Sequence, residues 1–176
     1  DADCRITSCT VSGVLARGVD RVTVTRCTST GMSWDCAIDI EGGTGHVVES
    51  CDITQVLEAI RLTRTIGAEI RGNRVSARWW GVLAIDTEAT EVAANSFEHT
   101  MRAVDVDGGT LAEATGNAVL DGDSGCVVQR GASDVTVAGN HWERLRIGLL
   151  AWDAGFVRHH DNTVVDLADA PVTVGP

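Results

Sequence analysis

An all-β fold, a right-handed parallel β-helix solenoid of about eight coils, is predicted by three features of the 176-residue sequence. Asparagines recur at a fixed interval, apolar residues fall into columns at constant offsets from them, and short segments alternate between apolar and polar residues. No long stretch keeps the spacing of about 3.6 residues that an amphipathic helix needs.

The interval carries most of the information. Asn73, Asn95, Asn117, Asn140 and Asn162 are separated by 22, 22, 23 and 22 residues, and Cys9, Cys27 and Cys51 continue the column toward the N-terminus. Three residues before each marker stand Ile6, Val24, Val48, Ile70, Val92, Ala114, Val137 and His159. Two residues after stand Val11, Ser29, Ile53, Val75, Phe97, Val119, Trp142 and Val164. A column of small residues, Gly13, Ala37, Ala59, Gly81, Ala103, Gly125, Gly148 and Ala170, opens segments such as Ala59-Ile60-Arg61-Leu62 and Ala103-Val104-Asp105-Val106.

A period of two nested in a period of about 22 fits three short strands per turn of a wound parallel sheet. At a tight turn, an asparagine amide can bond the backbone of adjacent coils, and stacked amides satisfy one another along the axis. Cysteine fills the same inward pocket without supplying those bonds, so free thiols are expected at Cys9, Cys27 and Cys51. From small residue to next marker is 14 residues in every coil but one, where Gly125 to Asn140 is 15. From marker to small residue the count runs 4, then 10, then 8, which places length variation at one turn and marks that side as the functional rim.

In phrases such as Asp134-Val135-Thr136-Val137-Ala138-Gly139-Asn140 and Ala68-Glu69-Ile70-Arg71-Gly72-Asn73-Arg74-Val75, the chain resembles the pectate-lyase-like right-handed β-helix superfamily. The resemblance covers nearly the whole chain and implies the fold. It implies a substrate lying along the outer face of the strand after the variable turn. It selects no single activity, because lyases, hydrolases, epimerases and phage spikes share the coil.

Projecting the sequence onto that strand turns Asp39 and Glu41, Arg61 and Thr63, Leu83 and Ile85, Asp105 and Asp107, Val127 and Gln129, and Leu150 and Trp152 outward. Asp105 and Asp107 stand two residues apart, about 6.6 Å along a strand, a spacing that suits the carboxylate pair of an inverting glycosidase. With Asp39 and Glu41 the pair could instead collect Ca²⁺ through oxygen ligands, the one cofactor the sequence suggests. Elimination would need a base, and with no lysine or tyrosine in the chain that role falls to arginine or histidine, Arg61 and Arg102 being the arginines aimed at the groove. Gly122-Asp123-Ser124-Gly125-Cys126 resembles the Gly-Asp-Asp-Cys segment of polygalacturonases, with Asp123 on the first acid but Ser124 on the second. The Gly-His-Gly and Arg-x-Lys motifs of that family are missing. Trp34, Trp79, Trp80 and Trp152 fall on or beside the groove, where flat rings stack on sugars, whereas Trp142 belongs to an inward column. The one histidine cluster, Arg158-His159-His160-Asp161, sends its two rings to opposite faces, and the cysteines lack metal-ligand spacing, so no metal site is assigned.

The formal charge of −11, with 14 arginines against 25 acids, argues against nucleic acid as a partner. No apolar run is long enough to span a bilayer as a helix. The chain reads as one domain over residues 1–176, extracellular in preference to other compartments. Its ends carry no amphipathic cap, which predicts a piece of a longer polypeptide, or ends covered by flanking domains or oligomer partners. Two functions follow. One is a carbohydrate-active β-helix binding an extended polysaccharide along the strand, with cleavage or epimerisation by Asp105, Asp107, Asp123 or an arginine. The alternative is a non-catalytic structural or adhesive solenoid, or a spike segment.

Overall fold

The computed structural model describes residues 3–31, 36–169 and 171–175. Within them the chain winds into a right-handed β-solenoid of about eight coils, and every strand pair is parallel. Coils are numbered here from their markers, Cys9 in coil one to Asn162 in coil eight. One wall is an eight-stranded sheet that begins with Cys4–Thr7 and ends with Val157–His160. An 11-stranded sheet bends around the other two walls, because strands such as Asp52–Thr63, Arg74–Glu88 and His141–Trp152 continue through the corner between them.

The apolar columns are the interior. Ile6, Val24, Val48, Ile70, Val92, Ala114, Val137 and His159 are paired residue to residue up the first wall. Ser29, Ile53, Val75, Phe97, Val119, Trp142 and Val164 do the same on the second. Val14, Ile38, Ile60, Val82, Val104, Cys126 and Leu149 line the third. The small column is dictated by these neighbours. A Cβ on Gly81 would lie 2.5 Å from the Phe97 ring, and one on Gly125 would lie 2.5 Å from the Trp142 indole nitrogen. Trp142 is itself fully enclosed, while His159, in the same kind of position on the last coil, is exposed.

Corners are made by single residues in the left-handed region. The residue before the marker does this in all eight coils: Ser8, Arg26, Ser50, Gly72, Ala94, Gly116, Gly139 and Asp161, with φ between 52° and 64°. Only three of these are glycine, so most corners hold a conformation that costs an L-residue about 1–2 kcal/mol. At Ala94 and Asp161 the amide ladder next door offsets that cost, whereas Ser8, Arg26 and Ser50 precede cysteines. The Asn73 side-chain oxygen accepts from the Cys51 backbone N–H at 2.9 Å, and the Asn95 oxygen accepts from both the backbone and side-chain nitrogens of Asn73 at 2.9 Å. Each side-chain nitrogen also donates to a carbonyl of the preceding coil, Asn73 to Val48, Asn95 to Ile70 and Asn117 to Val92. Toward the N-terminus from Asn73 the column passes to Cys51 and Cys27, which are buried free thiols in long contacts with the Glu49 and Thr25 carbonyls at 3.4 Å. Cys9 is also free but exposed.

Replacing Asn95 with alanine leaves the Asn73 donors, the Ile70 carbonyl and the Asn117 amide oxygen buried with fewer partners. Asn95→Ala is expected to lower unfolding free energy by about 3 kcal/mol. Asn73→Cys, which extends the natural cysteine run by one coil, should cost less. Urea denaturation of the two variants measures the difference.

Candidate functional site

The outer face of the third wall carries two register rows. Asp39, Arg61, Leu83, Asp105, Val127 and Leu150 form the first. Glu41, Thr63, Ile85, Asp107, Gln129 and Trp152 form the second. Alternation along each strand, with the apolar partner turned into the barrel, puts these side chains outside.

Each acid on this face has an arginine. Asp39 receives the Arg61 guanidinium through Nε at 3.1 Å and Nη2 at 2.7 Å, while the remaining Arg61 nitrogen donates to Glu58 at 3.2 Å. The Asp39 carboxylate drives the Arg61 pKa further up, so this guanidinium cannot lose a proton to act as a base. Glu41 lies between Arg17 and Arg64. Asp107 pairs with Arg130 at 3.1 Å. Asp123 takes Arg146 in a bidentate pair at 2.6 and 3.2 Å and the Ser124 hydroxyl at 2.8 Å, and Arg146 holds its carboxyl below the ordinary range. Arg146 also reaches Asp169 in the next coil.

Asp105 is different. Although it sits in an outward row, it has no exposed surface. Arg102 donates to Oδ2 at 2.7 Å, the Trp80 indole N–H to the same oxygen at 3.1 Å, and the Gln129 amide to Oδ1 at 3.0 Å. The lid of this cluster comes from coils four, five and six. Burial pushes the Asp105 carboxyl pKa up, against the lowering pull of Arg102 and Trp80. Leu83 and Val127, its row neighbours, are buried as well. The face is therefore a covered surface, with Asp105 beneath side chains and Asp107 at its margin.

Trp79 and Trp80 meet edge to face with ring centroids 5.8 Å apart. Trp80 is held by Asp105, whereas Trp79 stays 41% exposed and Trp152, at the far margin, 58% exposed. Trp34 lies outside the described residues. Burial pushes the Cys36 thiol up to about 12, so beside Glu58 and Arg61 it is a neutral thiol at physiological pH and not a nucleophile. Among the described residues no three His, Cys, Asp or Glu side chains converge as a metal cage. The Ca²⁺ donors suggested by the sequence, Asp39, Glu41, Asp105 and Asp107, are each engaged by arginine and do not fit the ion.

The arginines that tie down these acids were legible only through one signal, opposite charges one coil apart: Asp107 with Arg130, Asp123 with Arg146 and Asp121 with Arg144 are each 23 residues apart. Gln129, the third donor to Asp105, carried none. A concavity of about 500 Å³ lies off this face, at the corner between the second and third walls, with Val56, Leu57 and Ala77 in its lining and Gln55, Arg78 and His99 beside them.

Residues 12–166 match the family model described as the right-handed beta helix region. The chain belongs to that family. No curated protein matches it in sequence. Among solved structures, the Streptococcus pneumoniae surface protein and adhesin PfbA superposes with a TM-score of 0.74 at 13% identity, covering 91% of this chain and 49% of that one. A second structure of that S. pneumoniae surface adhesin gives a TM-score of 0.73 at 12% identity, over 88% of this chain and 45% of the other. The chain thus spans about half the length of these solved chains, and at such identity the likeness is one of fold. No helix among the described residues is long and apolar enough to cross a membrane.

The covered carboxyl makes this β-helix sensitive to pH in a definite direction. With its folded pKa above the ordinary 3.8, Asp105 contributes most stability below that value and progressively less as pH rises through the folded pKa. Asp123, shifted the other way, contributes fully above the ordinary value and loses its contribution as pH falls through its folded pKa. Between about pH 4 and 7, Asp105→Asn should therefore show a flatter dependence of urea midpoint on pH than the parent protein.

Proposed function

We propose that the chain is a polysaccharide-binding segment of an extracellular surface protein, holding an extended glycan along the outer third wall without cleaving it. The observation that carries this reading is the commitment of every carboxylate in the two outward rows, and of Asp123 beside them, to an arginine. Hydrolysis needs one carboxyl to protonate the leaving group and another to act on the sugar or on water, both free to approach. Salt-bridged aspartates stacked one coil apart serve the rod itself. Meanwhile Trp79 and Trp152 present indole surface to solvent at the two margins of the wall. They stand three coils apart, about 14 Å along the axis, so a ligand touching both is elongated. The solved relatives named as surface adhesins are in keeping with a rod that binds.

A cleaving role is favoured by one observation only, the burial of Asp105 under Trp80 and Arg102, which moves its carboxyl pKa upward, the direction a general acid requires.

The two readings separate in a single experiment. The protein is incubated with a panel of neutral and uronate polysaccharides while tryptophan fluorescence, reducing ends and unsaturated-uronate absorbance are followed. Binding without product is expected, with Trp79→Ala and Trp152→Ala each weakening it about tenfold, or about 1.4 kcal/mol. Product release that disappears in Asp105→Asn would establish the cleaving reading instead, and no binding across the panel would overturn both.

A further inference from the structure

The corner between the second and third walls has its own pattern. Four residues after the marker, Gly31, Gln55, His99, Asp121, Arg144 and Asp166 all take positive φ, bending the chain at the same place in coil after coil. Coil one, where Gly13 holds that place, and coil four depart from it, coil four with an ordinary residue there. Ala77 occupies that position without the left-handed turn, and the strand Arg74–Glu88 runs through the corner in extended conformation. The strand below, Asp52–Thr63, slips register against it between Thr54 and Val56 and again between Val56 and Glu58. A cavity opens at this irregularity, floored by Val56, Leu57 and Ala77.

Its rim carries an exposed cation, Arg78. Ten arginines form ion pairs among the described residues, whereas Arg78, like Arg5, Arg26 and Arg158, has no carboxylate oxygen of a described residue within 4.0 Å. A free guanidinium on a chain of net charge −11 is an unmet demand for an anion. His99 stands on the same rim, beside Glu98 at 3.6 Å. An apolar floor under a planar cation suits a ring that has one hydrophobic face and a carboxylate at its edge. Arg78 immediately precedes Trp79, so the cavity adjoins one end of the glycan wall.

We infer that this corner cavity is an accessory subsite for a carboxylate-bearing pyranose, a uronic acid branch or terminus, with Arg78 pairing its carboxylate and Leu57 and Ala77 under its ring. The inference rests on the polysaccharide-binding reading but concerns a separate place. It is tested on the full chain by titrating glucuronate and, separately, glucose into the ¹⁵N-labelled protein. Amide shifts are expected at Gln55, Leu57, Ala77 and His99 with glucuronate, at least tenfold weaker with glucose, and at least tenfold weaker in Arg78→Gln. Arg78 is exposed, so that variant keeps its spectrum and its fold is checked in the same experiment. Equal response to both sugars, an unchanged response in Arg78→Gln, or shifts confined to Gln129 and Trp152 would overturn the subsite. The polysaccharide panel with Trp152→Ala reports independently on the wall, so loss of one does not imply loss of the other.

Discussion

Everything in this molecule depends on identical chemistry repeating at the distance between stacked strands, about 4.8 Å. At that distance an amide can satisfy the amide above it, a methyl can touch a methyl, and a guanidinium can reach a carboxylate one coil away. The asparagine column uses the first, the three inward columns the second, and pairs such as Asp39 with Arg61 and Asp121 with Arg144 the third. None of these interactions is large alone. They act together because each side chain is held from both sides, and a coil removed from the stack would lose all of them at once.

That repetition is also why the architecture could be read in the sequence. A residue such as Val92 does the same work in its coil as Ile70 and Ala114 do in theirs, so position within the period stands in for three-dimensional position. Period-two alternation then assigns Asp105 and Asp107 to the outside. The buried state of Asp105 was not legible, because its cover comes from Trp80, 25 residues earlier, and from Gln129, 24 residues later. Neither is chosen by hydrophobic pattern or charge; each is placed by its hydrogen bond to Asp105. The ion pairs were closer to legible, since their members stand one period apart with opposite sign. The straightened corner at Ala77 was not, since alanine, glutamine, histidine, aspartate and arginine all occur at that place and none of them signals the turn.

The outer wall shows how function and stability compete for the same side chains. In a solenoid, any outward charge lies within reach of the next coil, so pairing is the default fate of a surface acid and a free one must be kept apart deliberately. Here the pairing is thorough along the wall, and the groups left over are aromatic or, at Arg78, cationic. A chain rich in acids thereby leaves indole rings and a guanidinium exposed at the edges of that wall.

The asparagine column stops short of the N-terminal coils, where Cys27 and Cys51 occupy its place. Five coils are bolted together by paired amide bonds, whereas in their N-terminal neighbours the marker side chains add only long thiol contacts to the backbone bonds. Pulled lengthwise, such a rod would not yield evenly. It would peel from the cysteine end and leave the amide-bolted portion wound, a built-in order of mechanical failure.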